Sequence, residues 1–423
     1  MAINKNILRQ CIVDKREEVE NVDVIERQFE FEDNGNYVFV GVRHVGKSFM
    51  MYQRIKQLLK RGYKWDRILL VSFEDERLAE FSTEDLNTIL EVHYEKYGTD
   101  NKPFIFLDEI QNVNHWDKFV RRLVDGGYKV CVTGSNAKML SQDVATTLGG
   151  RFFIVDVYPF TFQEFLVANK LKLTDDWQFS TIEKSKVQKL FNEYFKFGGL
   201  PEVVNYKAKR SFVLSLYQKI YLSDICLRNQ IRNFKALDIL IKKLAECVKQ
   251  PLSAYRLLNI LKSTNNKVAI STLTDYIQNV IDSWLVVPVS NGISNLTERE
   301  TNRKYYFIDN GLLNLFLYDS DSSLLENLVA ITLFRKYGCQ NVYYAKFDSE
   351  IDFILFDEKI AIQVSYSIQD EQTKKREIKA LLDFKNHHKD FDLQIITFDE
   401  KLSIKENDIE IKVIPIIEWL LEN

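Results

Sequence analysis

Residues 41–48 read Gly-Val-Arg-His-Val-Gly-Lys-Ser, two glycines around a short turn that ends in a lysine and a hydroxyl. Glycines let the backbone curl so that successive N–H groups point inward, and a following helix adds the partial positive charge of its N-terminus. Such a cradle takes phosphate. Gly41, Val42, Arg43, His44, Val45, Gly46 and Phe49 would form it, Lys47 would reach the β- and γ-phosphates, and Ser48 would ligate Mg²⁺. Further along, the apolar run Phe104-Ile-Phe-Leu107 ends in two adjacent carboxylates. Asp108 would hold the Mg²⁺ shell, and Glu109 would orient and deprotonate an attacking water.

These groups need a frame. The β-rich run Asn36–Val40 leads into the glycine turn, and Phe49–Lys60 has helical spacing at Met51, Ile55, Leu58 and Leu59. A second strand is expected over Arg67–Phe73, before the acidic step Glu74-Asp75. A fourth, Lys129–Thr133, runs into Gly134-Ser135-Asn136, where Thr133 and Ser135 could meet the γ-phosphate or the water. Gly149-Gly150-Arg151 precedes a fifth strand, Phe152–Val157. Arg151 would face the γ-phosphate of a neighbouring protomer or of its own site. Strands separated by helical stretches imply α/β architecture, a parallel sheet with helices on both faces. Glu109 on the Walker B strand points to the additional-strand type of P-loop NTPase. No guanine-reading NKxD occurs, since Asn101-Lys102 runs into Pro103-Phe104, so adenine is the expected base.

The 423 residues suggest two or three domains. The net charge of −3 is a cancellation: residues 205–306 hold 16 basic against 7 acidic residues, and residues 307–423 hold 13 against 22. A uniformly basic nucleic-acid coat and an acidic tail are excluded. No apolar run is long enough to span a membrane, and the first ten residues do not read as a secretory signal. Five scattered cysteines without a CxxC pair argue against a zinc site or a disulfide framework, and fit a cytoplasmic protein.

In the basic middle, helices are expected over 235–249, from Ser253 to Leu261, and after a Ser271 cap, followed by strands 285–289 and 304–308. Helices and then a β-ribbon suggest a winged helix-turn-helix. Its charge leaves DNA contact through residues 205–306 open. The would-be recognition helix carries no Lys or Arg and offers Asp275 and Asp282, so phosphate tracking fits better than base reading. At the acidic end, Glu326 on a helix, Asp352 on a strand and the next strand Lys359–Ser365 have the layout of a restriction-endonuclease-like core. The Glu-x-Lys positions of that layout are Gln363 and Ser365, so a metal-binding carboxylate and a water-positioning lysine are both missing. Lys346 is the nearest replacement lysine. Lys374–Glu377 reads as a solvated helix face.

The runs FIFLDEIQNVNHWDKFVRRL, VTGSNAKML and GGRFFIVDVYPFTFQEF resemble the AAA-type, STAND-related ATPases of bacteria and archaea. That group fuses the ATPase core to a winged-helix segment and a C-terminal nuclease-like domain of uncharacterised function. The resemblance spans nearly the whole chain. It implies that Phe197–Val204, FGGLPEVV, is a lid element in which Pro201 lies against adenine. The expected organisation is an ATPase domain at 1–160, a helical lid at 161–232, a winged helix at 233–309 and a degenerate nuclease-like domain at 310–423. The expected function is a Mg²⁺-dependent ATPase used as a nucleotide-driven switch with a protein partner. The alternatives are a DNA-acting ATPase and an ATP-gated nuclease. The sequence leaves the oligomeric state open.

Overall fold

Every residue of Tyr37–Val40 (β1) is apolar and buried, the pattern of a strand covered on both faces. In the computed structural model, which describes residues 3–134, 149–346, 349–406 and 409–423, this strand lies inside a five-stranded sheet. The others are β2 (Ile68–Ser72), β3 (Phe104–Asp108), β4 (Lys129–Gly134) and β5 (Phe153–Asp156), in the order β2-β3-β4-β1-β5. All four pairings are parallel. β4 is thus the additional strand, inserted between the glycine-turn strand and the carboxylate strand. This parallel α/β sheet has the P-loop NTPase arrangement. Helices Lys5–Asn21, Lys47–Lys60, Thr88–Tyr97 and Trp116–Asp125 accompany it.

The chain divides into two compact units, Met1–Val157 and Tyr158–Asn423. The second contains two sheets. Helices Phe234–Glu246, Ala254–Ser263 and Ile270–Asp282 precede a small antiparallel sheet of β6 (Leu252–Ser253), β7 (Val286–Ser290) and β8 (Asn302–Phe307), ordered β6-β8-β7. Ser253 caps its helix, its side chain accepting the Arg256 N–H. Ser271 does not cap the next one. That helix begins a residue earlier, with Ala269 in the cap position and no side-chain cap.

The larger sheet has the order β13-β14-β12-β11-β10-β9. Its strands are β9 (Tyr343–Lys346), β10 (Glu350–Leu355), β11 (Ile360–Val364), β12 (Asp392–Thr397), β13 (Leu402–Glu406) and β14 (Ile409–Pro415). The pairs β11–β12 and β12–β14 are parallel and the rest antiparallel. Helix Glu371–His387 covers it, burying Leu381 and Phe384 against Ile351, Ile354, Ile395 and Val413. The expected solvated face is corrected at Glu377, which is buried.

The small and large sheets are bonded together. The Gly292 N–H donates to the Tyr344 carbonyl at 2.8 Å, and the Tyr344 hydroxyl donates to the Asn302 carbonyl at 3.1 Å. The Asn327 amide pairs with both backbone groups of Phe307 at 2.8 and 3.0 Å. Among the described residues no helix is long and apolar enough to cross a membrane.

Candidate active site

A parallel sheet delivers the loops after β1, β3 and β4 to the same edge, which is why residues far apart in sequence meet there. After β1, Gly41 has no room for a side chain: a Cβ would stand 2.5 Å from the Val157 carbonyl oxygen. Gly46 caps helix Lys47–Lys60 at φ +100°, a backbone state open to glycine at little cost. Val42 and Val45 are buried and anchor the turn, and the Arg27 guanidinium donates to the Val45 carbonyl at 3.0 Å. Arg43 reaches Glu74 at 3.4 Å, and His44 sits at φ 61°. Phe49 is exposed against the Tyr52 ring.

Lys47 is buried. Its Nζ donates to the carbonyls of Gly41 and Val42 at 3.3 and 3.2 Å and stands 3.6 Å from Glu109 Oε1. The ammonium therefore rests on its own loop, held by neutral acceptors and one carboxylate.

Asp108 collects three hydroxyls. Thr133 donates to Oδ1 at 2.6 Å, Ser48 to the same atom at 2.8 Å, and Ser72 to Oδ2 at 3.2 Å. Burial pushes the Asp108 carboxyl up, and the Thr133 hydroxyl opposes that rise. The next residue turns sharply, with Glu109 in the left-handed region at φ 50°. Its N–H donates to Thr133 Oγ1 at 2.9 Å, and its Oε2 accepts from Gln111 Nε2 at 2.5 Å. The other amide atom, Gln111 Oε1, is buried without a hydrogen-bond partner. Ser48, Asp108, Glu109, Lys47 and Thr133 are thus assembled. The adjacent Ser48 hydroxyl and Asp108 carboxylate are oxygen donors of the kind a Mg²⁺ ion accepts.

Two other candidates stand apart from this cluster. Ser135 lies outside the described residues. Arg151 precedes β5, whose Phe153 pairs with Tyr37 at the start of β1. It is therefore at the sheet edge opposite the glycine turn, and a four-residue strand alone separates the two by about 13 Å. Its Nε pairs with Asp125 at 3.0 Å. That position does not suit service to its own site.

Pro201, in the second unit, opens the short helix Pro201–Asn205. The glycines before it have a local reason. A Cβ on Gly198 would fall 1.9 Å from Asp309 Oδ1, and the Gly199 N–H donates to Asp309 Oδ2 at 2.7 Å. Asp309 also accepts the N–H groups of Gly311 and Leu312 at 2.8 and 3.3 Å. Its burial pushes the carboxyl up to about 6.

A second cluster of charge was missed in the sequence. Lys304 on β8 is fully buried, with Nζ 2.8 Å from Glu350, 3.3 Å from Glu326 and 3.3 Å from Asp352. The Tyr306 hydroxyl donates to Glu326 at 2.8 Å, and the Val364 N–H to Asp352 at 2.9 Å. Lys304, not Lys346, is the lysine that joins Glu326 and Asp352. Alternation along β8 could have flagged it, because Lys304 and Tyr306 fall on one face. Part of the charge of the basic middle is paired. Lys209, Arg228, Lys242, Lys243 and Arg303 pair with Glu193, Asp224, Asp238, Glu246 and Glu300.

A family model described as an AAA domain matches residues 33–166, and a domain of unknown function, DUF8612, matches residues 188–323. The uncharacterized protein MJ1544 of Methanocaldococcus jannaschii is 34% identical over 440 residues, covering 99% of this chain and 96% of that protein. An uncharacterized protein of Haemophilus influenzae is 31% identical over 397 residues, covering 91% and 94%. Among solved structures, the Walker-type ATPase PABY2304 of Pyrococcus abyssi is 14% identical, with a TM-score of 0.39 and coverage of 74% and 95%. AMPPCP-bound DnaA from Aquifex aeolicus is also 14% identical, with a TM-score of 0.25 and coverage of 63% and 85%.

Proposed function

The chain belongs to the AAA-domain family that includes these Methanocaldococcus jannaschii and Haemophilus influenzae proteins, and we propose that it is a Mg²⁺-dependent ATPase working as a nucleotide-driven switch. The observation that carries the reading is the convergence of Ser48, Asp108, Thr133 and Glu109 beside Lys47 at one sheet edge.

In the proposed mechanism the glycine-turn N–H groups receive the phosphates. Lys47 exchanges its two loop carbonyls for β- and γ-phosphate oxygens, which are anionic and so bind the ammonium more strongly. Ser48 and Asp108 would hold Mg²⁺, whose charge offsets that of the β- and γ-oxygens. Lys47 moving to phosphate frees Glu109 of its resting ion pair. Glu109 then accepts a proton from the attacking water, with its backbone fixed through Thr133 and its carboxylate held by Gln111. Arg151 would serve a neighbouring protomer. ATP turnover and binding in Lys47→Ala and Glu109→Gln test these roles.

The second unit is read as the output. Three helices and a β-ribbon over 234–307 support a winged helix, and the six-stranded mixed sheet beneath Glu326 and Asp352 supports a nuclease-like domain. Gln363 and Ser365 support the absence of cleavage. Gln363 is committed elsewhere: its Oε1 accepts the Asp352 N–H at 2.9 Å, and its Nε2 donates to Glu377 Oε2 at 2.8 Å. A glutamate there would set two carboxylates together. The absence of Lys and Arg from the would-be recognition helix favours a protein partner over base reading on DNA, although among the described residues only Lys209, Arg228, Lys242, Lys243, Arg303 and Lys304 of the basic residues of 205–306 are paired with carboxylates.

A further inference from the structure

We propose that the Lys304 ammonium is the resident cation of the nuclease-like centre, standing where Glu326, Glu350 and Asp352 would otherwise gather a divalent metal. The proposal rests on the nuclease-like reading above. It turns that centre into a metal-independent clasp between the β-ribbon and the large sheet.

A metal of the kind this layout implies needs carboxylate oxygens that converge on an open position. Here the point of convergence is taken. One nitrogen contacts three carboxylates at 2.8–3.3 Å, and the side chain that carries it has no exposed surface. Among the described residues no group of three His, Cys, Asp or Glu side chains is arranged to hold a metal ion. Two of the carboxylates have a further donor. Asp352 Oδ2 accepts the Val364 N–H, and Glu326 Oε1 accepts the Tyr306 hydroxyl. Ser365 Oγ donates to the Ser367 carbonyl, so the position of the missing lysine is closed by a local turn.

The charges fit a single ammonium without a second cation. Three carboxylates against one ammonium would leave two negative charges if all were ionised. Burial pushes the Glu326 carboxyl up, against the attraction of Lys304. Glu350 keeps about a quarter of its side chain in water, which hydrates its charge. For Lys304, burial alone would favour the neutral amine. Glu326, foremost among its neighbours, overrides that and holds it charged well above the usual lysine range.

The clasp spans three elements: β8 carries Lys304, helix Asp321–Tyr337 carries Glu326, and β10 carries Glu350 and Asp352. A metal-built centre would come apart under chelation. This one should ignore chelators.

The test is Mn²⁺ binding by the full chain without nucleotide, followed by electron paramagnetic resonance, in wild type, Asp352→Asn, Lys304→Ala and the double variant. Equal Mn²⁺ stoichiometry in wild type and Asp352→Asn is expected. Lys304→Ala should gain one site that adding Asp352→Asn removes. A wild-type site lost in Asp352→Asn would overturn the proposal while leaving the nuclease-like reading in place. A folded Lys304→Ala that gains no site would overturn both. If Lys304→Ala does not fold, the comparison of wild type with Asp352→Asn still decides, equality supporting the proposal and loss overturning it.

Discussion

The two charged centres of this protein are built from similar groups and are left in different states. Around Lys47 the ammonium leans on two neutral carbonyls and one carboxylate, and Gln111 Oε1 is buried with no partner. Around Lys304 the ammonium meets three carboxylates, Glu326 Oε1 also accepts the Tyr306 hydroxyl, and Asp352 Oδ2 accepts the Val364 N–H. A lysine on neutral acceptors gains by exchanging them for phosphate. A lysine already among carboxylates has nothing better to move to. The resting partners of Lys47 can be exchanged for a more anionic ligand, and those of Lys304 cannot.

The sharpest way to break this contrast is at Lys47. Lys47→Ala should abolish nucleotide binding measured by fluorescence of a labelled ATP, with little change in thermal unfolding, because its resting partners are mostly carbonyls. Glu109→Gln should bind ATP near normally and lose about 10²–10⁴-fold in turnover, the range for removing a general base. Phosphate release under saturating ATP checks it.

At the other end of the contrast, Asp309→Ala should destabilise the second unit by about 2–4 kcal/mol. It leaves the N–H groups of Gly199, Gly311 and Leu312 buried without an acceptor. Urea titration reads this. A milder effect concerns pH. Glu326 has a folded-state value of about 7, above the ordinary glutamate value, so the folded state binds the extra proton. Stability attributable to it should fall as pH rises from about 4.5 to 7 and be level above that. Glu326→Gln should flatten that segment of a melting-temperature profile. The smallest effect is that of salt. The opposite net charges of residues 205–306 and 307–423 suggest domains docked by surface attraction. The structure joins them through Lys304 and backbone bonds, and buried pairs are screened weakly. Scattering profiles at low and high salt should therefore superimpose.

Much of the first unit was legible because its signals are local. The glycine turn, the apolar strand ending in Asp108-Glu109 and the helix after Lys47 each lie within a short stretch, and a parallel sheet then brings them together. The strand order, with β4 between β1 and β3, follows from the same pattern. The place of Arg151 was not legible, because sequence order does not say which sheet edge a residue occupies. In the second unit the decisive contacts are remote. Lys304 lies 22 residues from Glu326 and 48 from Asp352, and no spacing rule links β8, a helix and β10. Glu377 was read as solvated from the charges around it, yet Gln363, 14 residues away, draws it inward. Ser271 failed as a cap because the helix starts at Ile270, one residue before it. Gly198 and Gly199 were read from the family pattern as a lid, and Asp309 gives them a packing reason that no local signal carries.

The central claim is that the edge formed by Lys47, Ser48, Asp108 and Glu109 hydrolyses Mg²⁺-ATP. The most direct measurement is a single-turnover assay with γ-labelled ATP, in wild type and Glu109→Gln, with bound nucleotide quantified in the same samples. The account expects equal binding, with phosphate released by wild type and retained by Glu109→Gln. Equal release by both proteins would contradict it.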